Sequence, residues 1–195
     1  MPNPRAGRQM RYIPAKFQHR DDGGEPVIAC YFAVFNSPTE LWPGCIEQIA
    51  PGAFSSSLGG DVRALVDHET RLVLGRTTAG TLTLREDESG LYGEIKINPN
   101  DSDAMNLYAR VQRGDVSQCS FGFEIVSEDY IVGSDGQTCT WTIHDLILYE
   151  VSVVTFPAYE ATSAYARDSG DMASLRTARL NRRRQELLER INKLC

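Results

Sequence analysis

The sequence predicts a mainly β domain of the α+β class, a compact barrel or sandwich with several helices, followed by a helical tail. Three observations carry that expectation. Between Val27 and Tyr165, apolar and β-branched runs are punctuated by turn residues, the pattern of short strands. One segment in the middle of that region has helical spacing and both caps. The charge also divides sharply, with the end of the chain basic and the rest acidic. At 195 residues the chain has the length of one ordinary domain plus an appendage, enough to bury a core without covalent staples.

Residues 1–11 are expected to form a flexible N-terminal segment, residues 12–166 the domain, and residues 167–195 a linker and tail. Strands are predicted at Val27 to Phe35, Val62 to Val66, Thr81 to Arg85, Leu91 to Ile97, Ser120 to Ser127 and His144 to Thr155. Asp87-Glu88-Ser89-Gly90, lying between two alternating runs, reads as a hairpin turn. Asp101 or Ser102 caps a helix whose apolar face is Ala104, Leu107, Tyr108 and Val111, and Gly114 stops it. From Arg176 to Cys195, seven Lys/Arg stand against two acids, so this stretch carries about +5 of a chain whose formal net charge is -6. Leu180, Leu187, Leu188, Ile191 and Leu194 recur there at helical spacing. The tail is therefore an amphipathic basic helix, read first as a docking segment and second as a contact for nucleic acid.

The acidic balance argues against a general nucleic-acid binder, which needs a clustered basic surface. The first residues lack an apolar signal region, and no apolar run reaches the length of a membrane span. A soluble protein that is not exported is expected, with a cytoplasm as its compartment. The five cysteines, Cys30, Cys45, Cys119, Cys139 and Cys195, are odd in number and scattered, so neither a disulfide framework nor a zinc site is predicted and reduced thiols are expected.

Three histidines make the search for a nucleophile with its base short. His19, in Gln18-His19-Arg20-Asp21-Asp22, reads as solvated. His68 follows the run Val62-Arg63-Ala64-Leu65-Val66-Asp67, on the face of Val62, Ala64 and Val66, which puts an imidazole at the rim of a buried surface. It is either a hydrogen-bonded structural residue or a catalytic base. In Cys119-Ser120-Phe121-Gly122-Phe123-Glu124-Ile125, alternation sends Phe121, Phe123 and Ile125 to one face and Ser120, Gly122 and Glu124 to the other. Gly122 then leaves room beside the Ser120 hydroxyl for a substrate backbone, or else marks a bulge beside an ordinary serine. Cys119 points to the opposite face from Ser120, against a cysteine mechanism. Glu150 interrupts an otherwise apolar strand and needs a partner, because a buried unpaired carboxylate costs several kcal/mol, on the order of a desolvated ion. A histidine would serve as that partner in a catalytic site; Arg63 or Arg76 would serve in a structural one. His144 shares Glu150's face by parity and competes for the third place.

These blocks together resemble a known family. The segments Glu47-Gln48-Ile49-Ala50-Pro51-Gly52-Ala53-Phe54, Leu65-Val66-Asp67-His68-Glu69, Leu74-Gly75-Arg76-Thr77 with Gly80-Thr81-Leu82, Glu86-Asp87-Glu88-Ser89-Gly90-Leu91, Ser120-Phe121-Gly122-Phe123 and Glu150-Val151-Ser152-Val153-Val154-Thr155-Phe156-Pro157-Ala158 follow in order. In that order and spacing the chain resembles the prohead proteases of tailed bacteriophages, a serine peptidase family similar in fold to the herpesvirus assemblins. The match covers roughly Tyr12 to Tyr165. The resemblance implies a compact β-barrel-like core of assemblin type, with Ser120 as nucleophile, His68 as general base and Glu150 as third member. Asp67 stands where the phage pattern looks like Asn. Arg76 is a candidate for organising the loop that holds the oxyanion donors. No metal or cofactor is needed for this chemistry.

The implied substrates are the scaffolding segment of the major capsid protein precursor and the protease's own chain, cut inside the prohead, and a homodimer is implied by analogy with the assemblins. Two rivals set against this reading are an inactive homologue acting as scaffold or capsid-interaction module, and an unrelated β-barrel binding domain with a coincidental Ser and His.

Overall fold

Two open β-sheets enclose the aromatic and aliphatic side chains that the strand pattern turns inward. The structure is a computed structural model that describes residues 5–21 and 25–156. The first sheet is mixed. In it β1 (Arg8–Pro14) pairs antiparallel with β10 (Gln118–Val132), and β10 pairs antiparallel with β11 (Cys139–Val154). The other edge of β11 is long enough to take two parallel neighbours. Its N-terminal half carries β5 (Cys45–Ile49), itself paired with β4 (Thr39–Trp42), and its C-terminal half carries β6 (Arg63–Val66), itself paired with β7 (Glu69–Arg76). The second sheet is antiparallel, in the order β2 (Gln18–Asp21), β3 (Pro26–Val34), β9 (Gly90–Lys96), β8 (Leu82–Glu86).

Each predicted strand between Val27 and Thr155 is present, with ends shifted by a few residues where β10 and β11 continue into a long hairpin. Asp87 closes the β8–β9 turn, its Oδ1 accepting from the backbone N–H groups of Ser89 and Gly90. The helix is α1 (Ser102–Arg113), capped by Asp101, whose carboxylate accepts from Asp103 N and Ala104 N. Gly114 ends it in the left-handed region at φ 82°, where a side chain would be strained. Its buried residues are Ala104, Leu107, Tyr108 and Val111, the face expected from spacing, and it packs on β2 and β7. Phe32, Phe54, Phe121, Phe123, Ile28, Ile95, Ile143 and Leu146 are fully buried between the layers. Each such side chain contributes about 1.5–3 kcal/mol of apolar burial.

Several expectations are corrected. Neither sheet closes, so the domain is not a barrel, and among the described residues one α-helix and a 3-10 turn at Thr77–Ala79 replace the several helices predicted. Alternation along single strands reports which face is inward but not whether the sheet's edges meet. Residues 5–11, expected to lie outside the domain, are part of it: Arg5 is 2% exposed and Arg8 to Arg11 form the start of β1. Cys45 and Cys139 form a disulfide across the parallel β5–β11 pair, with Cα atoms 4.5 Å apart, against the expectation of reduced thiols throughout. Their separation of 94 residues concealed a register that only the parallel pairing creates. Cys30 and Cys119 are free and buried. The basic tail and its linker lie outside the described residues. Among those described, no helix is long and apolar enough to cross a membrane.

Candidate functional site

The site is built where β6, β10 and β11 come together. Val66 and Glu69 pair across the β6–β7 hairpin, leaving Asp67 and His68 as a two-residue tip. Both have positive φ, 46° and 61°, the geometry of a tight hairpin turn. Left-handed backbone costs a non-glycine residue roughly 1–3 kcal/mol, so the surroundings must hold it. They do so through Asp67. Its N–H donates to Val153 O at 3.0 Å, and its carboxylate accepts from Thr155 N at 2.8 Å and Thr155 Oγ1 at 3.1 Å. The tip is thereby pinned to the end of β11, and His68 sits on the turn itself, beyond the strand end.

From that tip the imidazole reaches back to Glu150. His68 Nδ1 lies 2.7 Å from Glu150 Oε1. Opposite an ionised carboxylate, which only accepts, Nδ1 is the donor, and Nε2 is turned to the other side of the ring. The edge of the Tyr12 ring faces His68, with centroids 5.4 Å apart. Glu150 is 1% exposed, and Ser152, two residues further along β11 and on the same face, donates its hydroxyl to Glu150 Oε2 at 2.6 Å. Arg8 Nη2, on a half-exposed side chain, is 3.9 Å from Glu150 Oε1.

Ser120 stands on β10 directly opposite Ser152 of β11 and is fully buried. Its Oγ and His68 Nε2 are both buried without a hydrogen-bond partner among the described residues. Cys119 points the other way, its Sγ donating to Tyr31 O at 3.2 Å, and it hydrogen-bonds Cys30, whose thiol is pushed up by burial and by that neighbour.

Of the residues singled out from sequence, His68 and Glu150 are in contact, and Ser120 lies on the strand beside them. His144 is elsewhere: its Nε2 is 2.9 Å from Asp129 Oδ2 on an exposed surface. Parity linked it to Glu150, but β11 is irregular between them. Neither His144 nor Tyr149 has a register partner in β10, and each interruption resets the alternation. Arg76 forks onto Asp61 with two contacts of 2.7 Å, and Arg63 also pairs with Asp61, so neither is Glu150's partner. Hydrogen bonding to Arg76 leads the causes that hold the Asp61 carboxyl down at about 2. His19 is exposed on β2, near the Tyr108 ring.

Of the two uses expected for Gly122, the bulge is present, since the β10–β11 register shifts between Gly122 and Phe123, and the room beside it is filled from within the protein. Gly122 pairs with Glu150 in register, and a Cβ there would run into Glu150 Oε1, so the vacant space accommodates the carboxylate. Ser152 and Arg8 were missed. The signal for Ser152 was its i+2 spacing from a buried acid; Arg8 carried none, because its segment was set outside the domain. Among the described residues, no cluster of three or more His, Cys, Asp or Glu side chains could hold a metal ion.

Comparison with known proteins gives three findings. Residues 14–174 match the family described as caudovirus prohead serine protease. The chain is 31% identical over 172 residues to the prohead protease of Enterobacteria phage HK97, an alignment covering 86% of this chain and 72% of that protein. It is similar to the solved structure of the bacteriophage T4 capsid assembly protease, with a TM-score of 0.50 over 77% of this chain and 99% of that one. At 8% identity this last likeness speaks for the fold alone.

Proposed function

The chain belongs to the caudovirus prohead serine protease family, and from that premise we propose that this capsid maturation protease is a serine endopeptidase with Ser120 as nucleophile, His68 as general base and Glu150 as the acid that orients it. The observation that carries the assignment is the His68 to Glu150 contact of 2.7 Å, with the far nitrogen of the imidazole buried and without a hydrogen-bond partner among the described residues.

In the reaction Ser120 Oγ attacks the substrate carbonyl carbon as its proton passes to His68 Nε2. Glu150 stabilises the imidazolium through Nδ1–H. The tetrahedral intermediate collapses as Nε2–H protonates the leaving amine and the C–N bond breaks. Water then attacks the acyl-enzyme, giving its proton to Nε2, and Ser120 recovers a proton as the ester bond breaks. The substrates we infer are the scaffolding segment of the major capsid protein precursor and the chain itself, inside the prohead in the host cell.

Co-expression with the capsid precursor tests this reading by intact mass. Ser120→Ala and His68→Ala are each expected to abolish processing while leaving the fold and prohead assembly intact. Continued processing by either variant removes that residue from the mechanism.

A further inference from the structure

We propose that Ser152 is a fourth, positioning member of the site, one that sets the Glu150 carboxylate for its contact with His68; the inference rests on the peptidase reading above. The carboxylate is 1% exposed and has two oxygens to satisfy. Oε1 takes His68 Nδ1 at 2.7 Å, with Arg8 at 3.9 Å. The hydrogen bond to Oε2 among the described residues comes from Ser152 at 2.6 Å.

Ser152 is itself fully buried, away from bulk solvent. Without that donor, Oε2 would be a buried charged acceptor with nothing to accept from, and the carboxylate would gain by turning toward another partner. Turning it moves Oε1 off the line of the Nδ1–H bond. The Ser152 oxygen also lies 3.3 Å from His68 Nδ1, which gives the ring N–H a second acceptor on the same side. Both contacts therefore fix the same tautomer, with the lone pair on Nε2.

The placement follows from the strand. Glu150 and Ser152 are two apart on β11 and share a face, and the register sets Ser152 opposite Ser120 and Glu150 opposite Gly122. One rigid pair of strands thus spaces the nucleophile and the acid. Ser152 touches no reacting atom in this scheme; it acts through Glu150 and through Nδ1 of His68.

The test uses the full chain and the purified capsid protein precursor. Ser152→Ala removes the hydroxyl, and Ser152→Cys keeps the volume with a much weaker donor. Both are expected to lose kcat by about ten- to hundredfold, the range for one hydrogen bond to a charged group, with KM within about twofold. The low-field proton resonance of His68 Nδ1–H, present in the wild type and absent in His68→Ala, is expected to shift upfield in both. A packing role would leave Ser152→Cys with wild-type kcat and an unmoved resonance, and that result overturns the inference even where Ser152→Ala fails to fold. His68→Ala and Ser120→Ala run beside them: if they are inactive while both Ser152 variants cleave normally, only the role of Ser152 falls. If they remain active, the peptidase assignment falls and takes this inference with it.

Discussion

Two glutamates are buried to nearly the same degree, Glu47 at 2% and Glu150 at 1% exposure, and they are paired in opposite ways. Glu47 on β5 is clamped by Arg5 and Arg11 of the N-terminal segment, with Arg11 Nη2 donating to its Oε2 at 2.7 Å. Arg11 also donates to Gln9 Oε1, and Arg5 reaches Glu128 at 2.9 Å while lying over the Trp141 ring. Burial alone would raise the Glu47 carboxyl; the Arg11 and Arg5 guanidiniums outweigh it and hold the carboxyl below its ordinary value. Those cations never release a proton. Glu150 faces an imidazole instead, whose second nitrogen has no hydrogen-bond partner among the described residues. A buried acid is thus a fastener when its partner is a guanidinium; beside an imidazole it is placed for the role proposed for Glu150.

Exchanging the two losses breaks the comparison most directly. Glu150→Gln is expected to reduce kcat by roughly 10^3 to 10^4-fold, the effect of losing the acid that fixes the histidine tautomer. Its urea midpoint should move little by comparison. Glu47→Ala is expected to leave kcat per folded molecule within about twofold and to cost about 3–5 kcal/mol of stability, because two buried arginines lose their counter-ion. Urea unfolding and precursor cleavage measured on both variants decide the matter. An inactive but stable Glu47→Ala would move Glu47 into the site.

The same pair separates under acid. Because the folded-state value of Glu47 is depressed, its stabilisation is fully present above the unfolded carboxyl value, about 4.3, and is lost as pH falls through the folded value. Glu128 acts in the other sense: burial raises its carboxyl, so its contribution grows as pH falls. The urea midpoint of the wild type should fall more steeply than that of Glu47→Ala as pH is lowered below about 4.3. Parallel curves would mean that Glu47 carries no linked proton.

Gly122 sharpens the comparison from the side of the strand. A methyl there meets the Glu150 carboxylate, with its Cδ 3.1 Å away and Arg8 Nη2 3.3 Å away. Gly122→Ala is expected to reduce kcat by about a hundredfold through displacement of Glu150, the scale of a misplacement near 1 Å. The measurement is cleavage rate against thermal midpoint. An unimpaired rate would return Gly122 to the role first inferred, room for the substrate.

How much of this was legible differs by residue. Glu150 stood out because a lone acid in an apolar strand has to be paired, and Ser120 because Phe121 and Phe123 define the opposite, inward face of β10. The caps and buried face of α1 were readable because both signals are local. The two parallel neighbours of β11 were not, since pairings across 94 residues for β5 and 87 for β6 leave no local trace, and with them went the Cys45–Cys139 bond. His144 misled because alternation counts residues and cannot see a bulge. The open sheets were hidden for a similar reason: each strand states its inward face but not its outer neighbours.

Asp67 gives the smallest expected effect and tests whether the hairpin tip, rather than the acid alone, places the base. Its carboxylate holds Thr155 N and Thr155 Oγ1, and its positive φ suits Asp and Asn far better than other side chains. Asn keeps one carbonyl oxygen for Thr155 N and tolerates the same backbone, whereas Ala keeps neither the bond nor the preference. Asp67→Ala should reduce kcat by about fivefold, and Asp67→Asn should restore most of it, because a hydrogen bond worth about 1 kcal/mol is lost in the first and kept in the second. Precursor cleavage at saturating substrate reads both. If the alanine variant cleaves at the wild-type rate, Glu150 and Ser152 hold His68 without help from the turn; if the asparagine variant is as slow as the alanine, the charge of Asp67, and not its bond to Thr155, is what the tip requires.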